Sequence, residues 1–257
     1  MVQWFCNVKN FLMIGGLKNM KVLVIPDIHL KPWMFDRAEE LLHAHAAEQA
    51  VCLMDIADDW NMQLNVDLYR KSYDRAIAFA KAFPDTIWCY GNHDVSYPWG
   101  KLETGYSPYA ERTVIDKMDE LKATLKEPSQ IGFIQKIGKV LFSHGGLTKD
   151  YVTQLDRSLH HSSIEVVLDA VNHAPIEMLW YDASPLWLRS QYQKVEPFRK
   201  EQYIQVVGHT PVNTIYEKNG FISTDVFSIK PNGNPIGDET FLVIDTETGI
   251  YDRIKKR

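Results

Sequence analysis

Short apolar runs alternate with amphipathic stretches through the first half of the chain. Three of these runs are rich in β-branched or aromatic residues and predict strands buried on both faces: KVLVIP (21–26), AVCLM (50–54) and TIWCY (86–90). Between them, residues 35–49 and 66–83 carry apolar positions at helical spacing, and Pro84 would end the second helix. Alternating strands and helices are typical of a parallel sheet with helices packed against it.

The second half of the chain predicts hairpins together with more helix. Residues 109–126 have helical spacing, and residues 148–200 are predicted to be mostly helical. Residues 203–207 form a further apolar run. Three pairs of strands are predicted around turn signals: 132–143 through Gly138-Lys139, 213–224 through Asn219-Gly220, and TFLVID with GIYDRI around TETG. The fold class is therefore α/β, a sandwich with mixed sheets.

Length and composition predict one large domain. The chain has 257 residues, of which 45% are hydrophobic and 24% charged, as in ordinary globular proteins. Residues 1–19 have no basic leader before their apolar part and no small-residue cleavage site, so we do not expect them to be a signal peptide. Met20 begins a segment that runs directly into the first strand. We therefore expect residues 20–257 to form a single domain, preceded by an extension that is disordered or wrongly assigned.

Charge and hydropathy argue against nucleic-acid and membrane partners, and the cysteines bear on the cellular compartment. A net charge of −5 does not favour stable nucleic-acid binding, and the sequence contains no apolar run long enough for a membrane span. None of the three cysteines forms a metal-binding pair spacing, and Cys52 and Cys89 lie in apolar runs, so buried free thiols are expected. Nothing in this cysteine pattern requires an oxidising compartment, and we expect a cytoplasmic protein.

Polar side chains follow the predicted strands at five separate places: Asp27 with His29, Asp55 with Asp58, the Asn92-His93-Asp94 segment, His144, and His209. Each cluster alone could be structural. Because the carboxyl ends of strands meet at one edge of an α/β sheet, all five could converge there. Carboxylate, imidazole and amide ligands without thiolates suit a pair of divalent ions such as Mn, Fe, Zn, Ni or Co. A carboxylate that bridges two ions could also hold a shared water and make it acidic.

The five clusters resemble the signature of the calcineurin-like metallophosphoesterases, whose pattern is D-x-H, G-D-x-x-D, G-N-H-[D/E], H and G-H. The matching segments cover most of the chain: Asp27-Ile28-His29, Asp55-Ile56-Ala57-Asp58, Gly91-Asn92-His93-Asp94, Ser143-His144-Gly145-Gly146 and Gly208-His209-Thr210-Pro211. The resemblance implies two mixed β-sheets flanked by helices. It also implies that Asp27 and His29 hold a first metal, that Asp55 bridges, and that a second metal is completed by Asn92, His144 and His209.

The same resemblance implies roles around the metals. His93 would be the general acid or would contact the phosphate, oriented by Asp94. Asn92 would also face the substrate. The family arginine after G-D-x-x-D is Asp59 here, so Arg189, in the segment LWYDASPLWLRSQY (179–192), is the candidate for binding phosphate. The alternative is that Arg189 lies on a helix surface.

Two further departures bear on activity. Met54 stands where the family has a glycine that lets the backbone approach the metals. The last motif lacks a second histidine, which makes the chain more similar to the phosphoprotein phosphatase and diadenosine tetraphosphatase branch than to nucleases.

These observations predict a phosphoesterase in which a metal-bridging hydroxide attacks phosphorus. It would be a protein phosphatase-like phosphomonoesterase or a dinucleoside polyphosphate hydrolase. Its substrate would be a phosphorylated small molecule, a nucleotide or a phosphoprotein, without stable nucleic-acid or membrane partners. A phosphodiesterase or nuclease on the same scaffold stays open as an alternative, as does a non-catalytic metal-binding module. The oligomeric state is not predicted.

Overall fold

A computed structural model describes residues 20–256, so the prediction for residues 1–19 falls outside the described part of the chain. The strands are β1 Lys21–Ile25, β2 Gln49–Cys52, β3 Ile87–Cys89, β4 Ile131–Gly132, β5 Ile134–Ile137, β6 Val140–Ser143, β7 Ile204–Val207, β8 Tyr216–Lys218, β9 Phe221–Ser223, β10 Thr240–Asp245 and β11 Tyr251–Lys255. The helices are α1 Trp33–His43, α2 Val66–Ala82, α3 Asn92–Ser96, α4 Glu111–Thr124, α5 Lys149–Leu155, α6 Ile164–Asn172 and α7 Ile176–Leu179. Short 3-10 turns cover Pro128–Gln130 and Arg157–His161.

The strands form two mixed sheets, as predicted. In the first sheet, the order is β11-β10-β1-β2-β3-β4, with β1 to β4 mutually parallel and β10 antiparallel to β1. In the second sheet, the order is β5-β6-β7-β9-β8, with β6, β7 and β9 parallel. Each sheet therefore has a block of parallel strands whose carboxyl ends lie at one edge. These edges carry the loops with the polar clusters.

The parallel strands are buried on both faces, in agreement with their continuous apolar sequence. Val22 to Ile25 of β1 have no exposed surface, and Trp88 of β3 is also fully buried. One apolar core includes residues from both sheets and from helices α1, α2 and α4. Each large side chain buried in this way contributes about 1.5–3 kcal/mol to stability. The core thus fixes the strands whose ends carry the polar loops.

Helices α1 and α2 begin near the predicted positions, and α2 also ends near its predicted end. Asn65 caps α2, because its side chain accepts a hydrogen bond from the backbone N–H of Leu68 at 3.3 Å. Helix α1 ends at His43, earlier than predicted, since His45 adopts a φ of 57° and turns the chain back toward β2. Among the described helices, none combines the length and hydropathy needed to cross a bilayer.

The prediction of helix through residues 148–200 is wrong after Leu179. Residues 180–203 form successive turns instead. Ser184 explains part of this, because its hydroxyl donates to the carbonyl of Leu179 and accepts from the N–H of Leu186. Such side-chain bonds compete with helical ones, and Pro185 follows directly. The turns carry Arg189 toward the polar loops rather than placing it on a helix surface.

Candidate metal centre

Five loops bring the predicted ligands together at the ends of parallel strands. Asp27 follows β1, Asp55 follows β2, and Asn92 begins α3 just after β3. From the other sheet, His144 follows β6 and His209 follows β7. The loops are tied to each other by backbone hydrogen bonds, including His29 N–H to the carbonyl of Asp55 at 2.7 Å. The strand-end reasoning therefore placed these residues correctly.

The ligand atoms form two groups that share one carboxylate. Asp55, His144 and His209 form one group, and Asp27, His29 and Asp55 form the other, with the ligand atoms of each group within 4.8 Å of one another. Asn92 adjoins the group of Asp55, His144 and His209, because its Oδ1 lies 3.0 Å from Nε2 of His144. The same Nε2 is 3.1 Å from Oδ2 of Asp55 and 3.2 Å from Nδ1 of His209.

Two of the ligand atoms lack the hydrogen-bond partners that buried polar atoms normally have. Within residues 20–256, Oδ2 of Asp27 and Nε2 of His209 are buried without a hydrogen-bond partner. Unsatisfied buried polar atoms cost about 1–3 kcal/mol each, and a cation would satisfy both. Carboxylate, imidazole and amide oxygen are also suitable donors for borderline divalent ions. The residues therefore fit the metal ions that the sequence predicts.

Two glycines make room for the carboxylates. A Cβ atom on Gly91 would overlap Oδ1 of Asp55, and one on Gly208 would overlap Oδ2 of Asp27. The backbone at position 208 comes close enough for the next residue, His209, to donate its N–H to Oδ1 of Asp27 at 2.7 Å. Close approach of backbone to a ligand is a common reason for glycine.

Charge within the metal-free cluster is distributed unevenly. Burial opposes ionisation of Asp55, but the neighbouring His144 and His93 outweigh it and hold the pKa of Asp55 below its ordinary value. For His144, burial lowers the pKa, yet the carboxylates of Asp55 and Asp27 outweigh burial and raise it to about 9. Burial lowers the pKa of His29 and of His209. These last two imidazoles are therefore neutral at physiological pH, as metal ligands must be.

His93 points into the same site and pairs with Asp58. Its Nδ1 lies 2.9 Å from Oδ2 of Asp58, whose other oxygen accepts the hydroxyls of Tyr69 at 2.9 Å and Tyr97 at 2.5 Å. Burial lowers the pKa of His93, but the charge of Asp55 and the bond to Asp58 outweigh burial and raise it to about 9. His93 is thus positively charged at neutral pH in the metal-free protein.

The prediction that Asp94 orients His93 is wrong. Oδ1 of Asp94 accepts the N–H of Ile56 at 3.0 Å and the hydroxyl of Tyr73 at 2.6 Å. Successive residues of a helix project about 100° apart, so His93 and Asp94 in α3 face different neighbours. Burial, with the charge of Asp55, raises the pKa of Asp94 to about 7. Asp94 therefore ties the loop after β2 to α3.

Left-handed backbone is concentrated in the site loops. The non-glycine residues with positive φ include His29, Leu30, Met54, Asp55, Asp58 and His209. Met54, with a φ of 54°, occupies the place where the family has glycine, and its side chain is fully buried. Met54 therefore adopts a left-handed backbone conformation that glycine takes at lower cost.

Arg189 lies in a cleft of about 280 Å³ together with His29, Asp55 and His93. Its Nη1 donates to the carbonyl of His209 at 3.2 Å. The alternative of a helix-surface position is therefore wrong for this residue. A guanidinium beside clustered metal ligands can bind the oxygens of a phosphate group.

The sequence did not identify three residues of the cleft as site residues, namely Asp58, Asp225 and Trp60. Asp58 was quoted within its motif without a role, although it is the partner of His93. Asp225 follows β9, so the strand-end rule applied to the other loops would have found it. It is buried and accepts the N–H and hydroxyl of Ser228. Trp60 lines the cleft and follows Asp59, but its sequence neighbourhood gave no signal for this position.

Comparisons with known proteins agree with this geometry. Residues 20–242 match the family model for calcineurin-like phosphoesterases. No curated protein matches the chain. Among solved structures, the cold-active protein-tyrosine phosphatase of a psychrophilic Shewanella species superposes with a TM-score of 0.53 at 17% identity, over 92% of this chain and 81% of that one. At this identity the likeness establishes a shared fold.

Two other solved structures are similar over most of their length. A metallophosphoesterase from Sphaerobacter thermophilus has a TM-score of 0.43 at 11% identity, over 93% of this chain and 89% of that one. An archaeal phosphodiesterase has a TM-score of 0.40 at 15% identity, over 91% of this chain and 99% of that one.

Proposed function

The chain belongs to the calcineurin-like phosphoesterases, metal-dependent hydrolases, and on that basis we propose that it is a phosphomonoesterase with two divalent ions. The observation that carries the proposal is the position of Asp55. Its carboxylate belongs to both groups of ligand atoms. A carboxylate shared in this way can hold two ions close together.

The first ion would be held by Asp27, His29 and Asp55. The second would be held by Asp55 with three further ligands, namely Asn92, His144 and His209. Mn, Fe, Zn and Ni all suit this donor set. When bound, the ions would supply an acidified water and offset negative charge on the phosphoryl oxygens.

His93 would give a proton to the leaving oxygen. In the metal-free protein, the charge of Asp55 and the bond to Asp58 outweigh burial and raise the pKa of His93 to about 9. Asp58 fixes the ring by its contact with Nδ1, which leaves Nε2 to face the cleft. Asp94 supports the helix that carries His93 and has no direct role in this proposal. General acid catalysis of this kind contributes about 100- to 10,000-fold to turnover.

Arg189 would bind the phosphate beside the ions. Its guanidinium reaches the cleft from the turns after α7 and is held by His209 and Thr210. Asn92 would face both the second ion and the substrate. A planar fork of N–H donors matches two phosphoryl oxygens, which orients the group for in-line attack.

The proposal is tested by restoring Mn, Ni, Fe or Zn to metal-free protein and assaying phosphate release from monoesters. We expect Asp55→Asn to lose both metal and activity, whereas Asp116→Asn, which alters an exposed carboxylate of α4, should keep both. His93→Asn should lower turnover about 100-fold or more with metal content unchanged.

Other outcomes would favour the alternatives. Full metal content in Asp55→Asn would contradict the shared carboxylate. Cleavage of bis(p-nitrophenyl) phosphate with little release from monoesters would favour a phosphodiesterase. A wild-type protein that takes up no metal would favour a non-catalytic module.

A further inference from the structure

The cleft has a second end that the metal ligands do not use. Besides its charged and polar residues, the lining contains five apolar side chains, and Trp60 is joined to the 229–231 segment by a hydrogen bond to Ile229. The residues of this apolar end are Trp60, Pro211, Ile229, Pro231 and Ile236. A substrate whose phosphate reaches the metal ligands would place its leaving group against these side chains. The apolar end is therefore suited to recognising the leaving group.

Trp60 is held firmly although 40% of its surface is exposed. Its indole N–H donates to the carbonyl of Ile229 at 3.0 Å, and its backbone N–H donates to Oδ1 of Asp59 at 2.8 Å. Asp59 is itself fixed, because its Oδ2 pairs with Nζ of Lys31 at 2.9 Å. An exposed aromatic ring that is already ordered binds another ring with little further loss of conformational entropy.

The charges of the cleft disfavour substrates with several phosphates. Asp59 occupies the position of the family arginine and neutralises Lys31. The lysine and arginine side chains that line the cleft are Arg189 and Lys230, and His93 is a third cation in the metal-free protein, against the carboxylates of Asp55, Asp58, Asp59 and Asp225. Bound metals would offset part of this negative charge at the phosphate end. Lys230, between Ile229 and Pro231, is the one lysine among the described residues that line the cleft, so a polyphosphate chain would meet a single cation there among apolar and acidic side chains.

The size of the cleft also favours a small substrate with a single phosphate. Its volume of about 280 Å³ lies just below the range of about 300–1,000 Å³ that is usual for pockets enclosing drug-sized ligands. A single phosphate with one aromatic ring is small enough for this space, whereas most of a dinucleoside polyphosphate would extend outside it.

From these four observations we infer that the cleft selects phosphate monoesters with an aromatic leaving group, and that Trp60 is the specificity-determining residue. The inference rests on the proposed function and narrows its substrate class. It favours an aryl phosphate such as a phosphorylated tyrosine side chain over a dinucleoside polyphosphate. The aromatic ring of the substrate would pack against Trp60.

The inference is tested by comparing kcat/KM for phenyl phosphate and ethyl phosphate in the Mn-loaded protein. The intrinsic reactivity of the two esters cancels when each variant is compared with wild type. We expect Trp60→Ala to lower kcat/KM for phenyl phosphate about tenfold and to change that for ethyl phosphate by less than about twofold.

Two variants separate the aromatic contact from structural effects. Trp60→Phe loses the hydrogen bond to Ile229 but keeps a ring, so it should retain most of the preference for phenyl phosphate. Tyr181→Ala removes an aromatic residue that is 45% exposed, and Tyr181 is not among the residues lining the cleft; it should behave as wild type. Equal loss on both esters in Trp60→Ala, or no loss on either, would overturn the inference.

Binding distinguishes this inference from the proposed function. Phenylphosphonate and ethylphosphonate have a P–C bond in place of the ester linkage, so the enzyme cannot hydrolyse them. Their affinities are measured by calorimetry on the same variants. Tighter binding of phenylphosphonate that is lost in Trp60→Ala supports the inference even if no ester is cleaved, in which case the proposed function fails alone. Equal affinities of the two phosphonates in wild type overturn the inference whatever the activity.

Discussion

At the scale of single residues, Met54 combines a costly backbone with a favourable side chain. Its left-handed conformation costs roughly 1–2 kcal/mol for a residue with a Cβ. Full burial of the side chain against the core offsets that cost. The sequence showed that a glycine was missing here, but only the structure shows that Met54 has a left-handed backbone and a buried side chain.

Replacement of Met54 should therefore reverse the usual order of glycine and alanine. Both variants lose the buried side chain, at about 2–5 kcal/mol. Glycine alone relieves the left-handed backbone, so Met54→Gly should be about 1 kcal/mol more stable than Met54→Ala. Urea unfolding of the metal-free variants measures the difference, and an alanine variant as stable as the glycine variant would contradict the argument.

Asp58 contacts the ring of His93, whereas Asp94, the next residue after His93, accepts hydrogen bonds from Ile56 and Tyr73. Asp58→Asn removes the charge that holds His93, so turnover should fall about 10- to 100-fold. Asp94→Asn keeps an oxygen that can accept from Ile56 and Tyr73, so turnover should change by less than about threefold. Steady-state kinetics with metal content checked decides between them, and a larger loss in Asp94→Asn would restore the original assignment.

At the scale of elements, strand ends were the most predictable part of the site. Apolar runs end at Asp27, Asp55, Asn92, His144 and His209, and the parallel block of each sheet brings these ends together. The partner of His93 was not predictable in the same way, because it depends on the direction in which α3 turns its side chains. The turns after Leu179 were missed since their aromatic residues imitate a helical pattern.

Gly91 tests how closely the loop after β3 must approach the loop after β2. Its φ of −92° is open to alanine, so Gly91→Ala introduces only the overlap with Asp55. We expect metal affinity to fall at least about tenfold. Gly233→Ala is the control: nothing lies near an added Cβ there, and its φ of 83° costs stability of order 1 kcal/mol without affecting metal. Unchanged metal affinity in Gly91→Ala, measured by calorimetry, would show that the loops can separate.

At the scale of the whole molecule, metal uptake should be linked to protons. His144 must be neutral to bind metal, and its pKa in the metal-free cluster is about 9. Below that value the metal displaces a proton, so affinity should rise with pH by up to about tenfold per unit and level off above about pH 9. Mn titrations at several pH values measure the slope, and an affinity independent of pH would mean that His144 is already neutral.

The ligands come from opposite halves of the chain and from both sheets. Asp27 meets His209 across 182 positions of sequence, one after β1 and the other after β7. The second ion would bind fully only once both sheets have assembled, because its ligands follow strands of both. The N-terminal half of a cleaved chain would keep Asp27, His29 and Asp55, but the ligands of the second ion lie in both halves. Recovery of uptake of a second ion on mixing two fragments would therefore report that they had rejoined correctly.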